Sequence, residues 1–294
     1  MTQPNVFSVD VEDFFHVEAF ADVVERSQWD YLPSRVVRNT QRLLDLLEAH
    51  KVEATFFILG WVCDRQRELV REIAARGHEV GCHSYWHRPI FRLTTDEFRE
   101  DTRRAKETIE QACGIPVEGY RAPSFSITRK SLWALEVLAE LGFTYDSSIF
   151  PIAHDVYGIP DGPRRPTMVQ TRKGPIFEMP MTTFSIRARN LPVGGGGYLR
   201  ILPFWYTQWG LRAAQREGVP FILYVHPWEI DASQPRLAGR FRSRLRHYTN
   251  LDKMERRLHR LLKRFSFTSF RAANLADRLD AHSVLDLNSA EAAS

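Results

Sequence analysis

The stretch Ala54-Thr-Phe-Phe-Ile-Leu59, closed by Gly60, decides the fold. A short apolar run ending at a turn residue reads as a strand buried on both faces, the kind found in parallel sheets. Pro33 to His50, just before it, has helical spacing that puts Val36, Val37, Leu43, Leu44 and Leu47 on one side. Earlier still, Val6 to Val9 is a β-rich run that ends in acids. After Gly60 the alternation continues. Arg65 to Arg76 is helical and stops at Gly77, and His78-Glu-Val-Gly-Cys82 is the next strand. Thr94-x-x-Glu97 is a capping box that opens a helix carrying Phe98, Ala105 and Ile109. Val117 to Tyr120 reads as a strand, Thr128 to Leu141 as a helix ended by Gly142, and Phe143 to Tyr145 and Ile176 to Met179 as strands. A helix over Pro203 to Glu217, a strand over Pro220 to Val225, an amphipathic helix over Leu251 to Phe265 and a strand over Phe267 to Phe270 complete the series. Such alternation implies a parallel sheet covered by helices. Seven or so units over about 270 residues favour a (β/α) barrel, where chemistry sits at the strands' C-terminal ends.

Composition bounds the rest. The chain has 294 residues, 44% hydrophobic and 26% charged, with 16 Gly and 16 Pro, which excludes collagen-like, coiled-coil and mostly disordered chains. Three scattered cysteines, Cys63, Cys82 and Cys113, imply no disulfide framework and suit a reducing compartment. No apolar stretch approaches the roughly 18 residues of a membrane span, and Met1 to Val6 has no leader character, so a soluble cytoplasmic protein is expected. The net charge of +4 conceals a segment, Arg236 to Arg264, with eleven Lys/Arg against Asp252 and Glu255. Such a segment could meet an anionic polysaccharide, phosphates or a membrane surface, and a solvated helix face is the plainer alternative. No nucleic-acid-binding motif accompanies it, so no nucleic-acid partner is expected.

Unusual residues fall where strands end. The first group is Asp10-Val-Glu12-Asp13, followed by His16; three carboxylates this close repel unless a cation binds them. Asp10 and Glu12 share a face if the strand persists, and Asp13 joins them only if the chain turns. The second is His83-Ser-Tyr-Trp-His87, whose i, i+4 spacing would set two imidazoles on one side of a helical turn. With a carboxylate they make a His₂–carboxylate set suited to catalytic metal, although either histidine alone could be structural. Arg121-Ala-Pro123-Ser-Phe125 follows another strand, where Arg121 could pair with a carboxylate; Asp146, in Tyr145-Asp146-Ser-Ser, is a candidate partner. His226, in Tyr224-Val-His226-Pro-Trp228-Glu229, ends a strongly apolar strand. Trp86, Phe125, Tyr198, Trp205, Tyr206, Trp209 and Trp228 could stack on sugar faces or simply pack. The Gly194 to Gly197 run before Tyr198 reads as a mobile loop.

Taken in order, Ser8-Val-Asp10-Val-Glu-Asp13, His83-Ser-x-x-His87, Arg121-Ala-Pro123, Tyr145-Asp146-Ser-Ser and Tyr224-Val-His226-Pro resemble the polysaccharide deacetylases, the NodB-homology enzymes of carbohydrate esterase family 4. The resemblance covers about residues 5 to 230. The glycine run and Arg246-His-Tyr248 resemble the subgroup found with exosortase-linked exopolysaccharide loci. It implies a distorted (β/α)₇ barrel over residues 1–282, including a basic extension over about 235–282, with 283–294 as a flexible tail. It also implies hydrolysis of N-acetyl groups on a polysaccharide, dependent on a divalent metal, Zn²⁺ first. His83 and His87 would be metal ligands together with Glu12 or Asp13, between which the pattern does not choose. Asp10 would be the base, His226 the acid, Arg121 the holder of the base, and Asp146 the tuner of a neighbour. Tyr145, Pro123, Phe125, Trp228 and Tyr198 would line the substrate site, with an oxyanion-binding N–H near Tyr145. Two other readings compete: a metal-free hydrolase of cyclic amides, and an inactive binding module. The basic segment would contact a membrane or a biosynthetic complex.

Overall fold

The computed structural model describes residues 5–154, 157–187, 189–275 and 284–286. The strands of the main sheet are β1 (Asn5–Val11), β2 (Thr55–Ile58), β3 (Glu79–Cys82), β4 (Gly119–Tyr120), β5 (Tyr145–Asp146), β6 (Thr167–Thr171), β7 (Gly174–Glu178), β10 (Ile222–Val225) and β12 (Val284–Asp286). Their order across the sheet is β10-β1-β2-β3-β4-β5-β7-β6-β12. β11 (Phe267–Thr268) adds to β1, and β8 (Thr183–Ile186) and β9 (Arg189–Pro192) form a separate hairpin. From β10 through β7 every pairing is parallel; β6 runs antiparallel to β7.

The helices are α1 (Val36–Ala49), α2 (Gly60–Arg65), α3 (Arg67–Ala75), α4 (Thr95–Cys113), α5 (Trp133–Glu140), α6 (Gly196–Ile201), α7 (Phe204–Glu217), α8 (Phe241–Tyr248), α9 (Leu251–Arg264) and α10 (Phe270–Ala273). The expected capping box of α4 is present: Thr94 Oγ1 accepts from Glu97 N, and the Glu97 carboxylate accepts from Thr94 N. α9 docks Leu251, Met254, Leu258, Leu261 and Leu262, which leaves its basic residues outward. No helix among the described residues is long and apolar enough to cross a membrane.

Period-two alternation divides the apolar residues into two clusters, one per sheet face. Phe7, Val9, Val11, Phe56, Ile58, Val80, Cys82, Leu223 and Val225 face the helices. Val6, Phe57, Tyr145, Phe177, Ile222 and Tyr224 face inward and pack with Phe125, Phe150 and Phe270. Strand parity therefore selects which side chains reach the interior at the top of the sheet.

The structure adds detail to three expectations. Among the described residues no ladder joins β10 to β7, β6 or β12, so the ring of strands stays open. The gap is crossed by Thr182 Oγ1, which donates to Pro220 O and accepts from Ile222 N, and by Gly194 O, which accepts from Tyr224 N. The glycine run is therefore not a free loop: Gly194, Gly195 and Gly196 are buried. A Cβ at Gly194 would overlap Ile222 O, and one at Gly196 would overlap the Glu229 carboxylate. Glycine is required here by close approach rather than by mobility. Within the stretch read as a C-terminal tail, residues 284–286 pair with β6, and 283 and 287–294 lie outside the described residues.

Candidate active site

The ladder register assigns the faces. Val11, Ile58, Cys82, Tyr120 and Asp146 form one row across β1 to β5, and the apolar members of this row pack toward the helices. One residue further along each strand, the side chains turn inward, and these include His83, Arg121 and Ser147. The inward positions of β1 are Val6, Ser8 and Asp10, and those of β10 are Ile222 and Tyr224, followed by His226.

Arg121 is fully buried. Nη1 donates to Asp10 Oδ1 and to Ser8 Oγ, each at 2.8 Å; Nε donates to Ser147 O and Nη2 to Ser147 Oγ. Its guanidinium lies 4.3 Å above the Phe57 ring. A buried charge requires this many partners. Asp10 thus has one oxygen fixed by Arg121, and its Oδ2 faces His226 Nε2 at 3.9 Å. Arg121 pairs with Asp10, not with Asp146. The Asp146 carboxylate bonds Ser148 N and Ser148 Oγ on the helix side of the sheet. Burial pushes the Asp146 and Glu178 carboxyls up, and the two share a hydrogen bond. One buried proton held between two carboxyls accounts for this.

Glu12 Oε2 lies 2.7 Å from His87 Nε2, and Glu12, His83 and His87 offer ligand atoms within 4.8 Å of one another. His83 Nδ1 lies 2.8 Å from Arg121 O, which fixes the Nδ1–H tautomer and leaves Nε2 as the ligand atom. Burial pushes the His83 pKa down to about 4, so the ring is neutral, as a ligand must be. Burial also opposes the Glu12 charge, but His87 and His226 outweigh it and hold the carboxyl well below the usual range. One carboxylate and two imidazoles, all buried, are a donor set that fits a catalytic divalent cation.

Asp13 is not part of this set. Its Oδ2 accepts from Ser34 Oγ, Arg35 N and Val36 N, and its Oδ1 from Phe14 N. The strand ends at Val11, and the following turn sends Asp13 to the N-terminus of α1, where the helix leaves N–H groups unpaired. The histidine pair also differs from expectation. Residues 83–87 are not helical; Ser84 and His87 adopt left-handed φ of 62° and 51°. Asp101 pins this strained turn by accepting from Tyr85 N and Trp86 N.

His226 Nε2 lies 3.5 Å from Glu12 Oε1, and Nδ1 lies 3.3 Å from Glu229 Oε2. Burial disfavours the imidazolium, but Glu12, Glu229 and Asp10 outweigh it and raise the pKa to about 9. The ring stacks on Trp228 at 5.1 Å, and Trp228 Nε1 donates to Glu12 Oε1.

The expected substrate contacts separate. Trp228 borders the site. Tyr145 points to the opposite end of the sheet, where its hydroxyl donates to Glu79 and its N–H to Glu118 O, so it supplies no oxyanion donor. Phe125 is buried against Phe150 and Tyr224, Pro123 is buried, and Tyr198 packs on Phe150. Trp205 and Trp209 remain exposed, while Trp86 and Tyr206 are partly buried. Two buried residues beside His226 escaped the sequence reading. Glu229 could have been found, because it stands three residues after His226; Arg200 follows the glycine run, but its spacing gives it no role.

The chain is thus a largely parallel α/β sheet that gathers carboxylates and histidines at its strand ends, where such folds place their chemistry. Residues 27–145 match the family model described as polysaccharide deacetylase, and residues 147–274 match one described as a domain of unknown function (DUF3473). The peptidoglycan-N-acetylglucosamine deacetylase of Bacillus cereus is 34% identical over 98 residues, which is 33% of this chain and 36% of that protein. The chitooligosaccharide deacetylase of a Bradyrhizobium strain is 33% identical over 100 residues, 34% of this chain and 43% of that protein. The matches thus span less than half of these relatives. A crystal structure from Mycobacterium smegmatis assigned to the polysaccharide deacetylases has the same fold, with a TM-score of 0.63 at 20% identity, covering 95% of this chain and 93% of that one. Residues 27–145 are thus similar to the polysaccharide deacetylases, and the chain shares the fold of the Mycobacterium smegmatis structure.

Proposed function

We propose that the protein is a metal-dependent hydrolase that removes N-acetyl groups from the amino sugars of a polysaccharide, an exopolysaccharide or related glycan. The observation that carries this reading is the buried Glu12–His83–His87 set facing Asp10 on one strand and His226 on the next. These three residues would hold the cation, with Zn²⁺ the best match to the donors. A bound cation would polarise the acetyl carbonyl and acidify the attacking water.

The chain's own groups divide the proton work. Asp10 Oδ2, left open by the Arg121 bond to Oδ1, takes a proton from the attacking water. His226 carries its transferable proton on Nε2, which faces Asp10 and Glu12. It gives that proton to the amide nitrogen as the C–N bond breaks, yielding acetate and a free amine. The raised pKa of His226 keeps that proton in place at neutral pH. Histidines at both ligand positions favour this reading over metal-free hydrolysis.

The test is acetate release from acetylated hexosamine oligomers, with chelation and metal add-back. His83→Ala should lose both bound metal and activity; activity that survives in this variant would overturn the mechanism.

A further inference from the structure

The acid side of the site is built by residues outside the polysaccharide deacetylase match. His226, Glu229 and Arg200 all lie in the 147–274 segment. Glu229 is 1% exposed and Arg200 2%. One Glu229 oxygen, Oε2, accepts the His226 backbone N–H at 3.0 Å and lies 3.3 Å from Nδ1 of the same ring. The other, Oε1, accepts from Arg200 Nε at 2.9 Å. Arg200 Nη1 then donates to the carbonyls of Arg246, His247 and Thr249, where α8 ends and its carbonyls lack helical partners. Gly196 abuts the Glu229 carboxylate so closely that any side chain would displace it. On the flat side of the ring, Trp228 is sandwiched between His226 and His247, with His247 at 4.1 Å and 12°. His247 is itself fixed by Gln234.

A fully buried ion pair is at best neutral for stability compared with apolar packing. Its geometry here does something more specific, because every contact ends on the orientation of one imidazole. We propose that Glu229 is the positioning residue for the His226 ring, that Arg200 holds Glu229 in place, and that this is what the 147–274 segment contributes to the reaction. The inference rests on the deacetylase reading for its consequence, not for its geometry. Glu229 fixes Nδ1 as the inward donor, and so aims Nε2 at the cleft between Asp10 and Glu12.

The deciding variant is Glu229→Gln, which keeps the shape. Its NH₂ meets a donor either way round; with the charged Arg200 Nε–H taking the amide oxygen, the NH₂ faces both the His226 backbone N–H and Nδ1, and the ring loses its donor bond. ¹⁵N–¹H spectra of histidine-labelled protein should show a slowly exchanging Nδ1–H of His226 that disappears in the variant. Acetate-release kinetics should show kcat lower by about 100-fold, with KM and bound metal within about twofold of wild type. Glu229→Asp should restore part of that loss. In a His226→Ala background, Glu229→Gln should cost no more than about twofold further, because it acts through that ring. Persistence of the Nδ1–H resonance in Glu229→Gln, or full multiplication of the two losses, would overturn the inference. Wild-type protein that releases no acetate would instead overturn the deacetylase reading, and the spectra would still decide the positioning contact.

Discussion

Adjacent carboxylates, Glu12 and Asp13, have opposite assignments, and replacing each with alanine separates them. Asp13 is 1% exposed and accepts four hydrogen bonds, three of them from backbone N–H groups. Arg35 N and Val36 N lie at the start of α1, so the loss includes a helix cap, worth about 1–2 kcal/mol. Stranding the remaining buried donors adds a comparable amount. Asp13→Ala should therefore destabilise the fold by about 2–4 kcal/mol, a fall in Tm of roughly 5–12 °C for a chain of this size. Asp13→Asn should fall between, since its amide keeps one acceptor oxygen. In both, the folded fraction should bind metal as wild type does. Glu12→Ala should leave Tm within a few degrees and weaken metal binding by more than about 100-fold. Differential scanning fluorimetry and metal analysis after equilibrium dialysis read the two effects separately. If folded Asp13→Ala lost metal while Glu12→Ala kept it, the ligand assignment would be wrong.

Two further predictions concern protons. The pKa of His226 is raised to about 9, so under the proposed mechanism its proton is available below that value and is lost as pH rises through it; a cation compensating Glu12 can only move the limit down. The pH profile of kcat/KM should be bell-shaped, and a rate still climbing above pH 9 would remove His226 from the acid role. The Asp146–Glu178 pair carries pKa values raised by burial, so the folded state holds a proton that the unfolded chain releases near pH 4. The sign follows: stability from this pair is present at low pH and declines as pH rises from about 4 through 6. Glu178→Gln should flatten that decline in urea titrations across pH 4 to 7; an unchanged slope would show that the pair shares no proton.

Much of the fold is legible in the sequence because the buried parallel strands are apolar on both faces. The run at 54–59 and the Gly-terminated helices identify themselves without tertiary knowledge. What escaped depends on long-range contact. The hairpin at 183–192 and β6 have no comparable apolar run, since each has a polar or exposed face. α8 buries only His247, so no apolar stripe announces it. At the site, residue types placed Asp10, Arg121, His83, His87 and His226 at strand ends, where they are found. Asp146 and Tyr145 were misplaced for want of register: one residue of parity decides whether a side chain meets the helices or the interior. Asp13 was ambiguous because the answer depends on where β1 stops, and the sequence does not mark that point. The Gly194–Gly197 run was misread because glycine looks the same whether it frees a chain or lets two segments touch.

The pairing of β1 with β10 has a mechanical consequence. Val9 lies opposite Val225, so Asp10 and His226 occupy neighbouring positions on neighbouring strands. Their separation is set by the spacing of a hydrogen-bonded ladder, about 4.8 Å between strands. The open side of the sheet, where Thr182 and Gly194 hydrogen-bond to the β10 segment, lies beyond β10. Asp10 and His226 are held by the same paired strands and do not depend on that side for their spacing. Whatever alters the open side leaves the distance between these two side chains to the ladder alone.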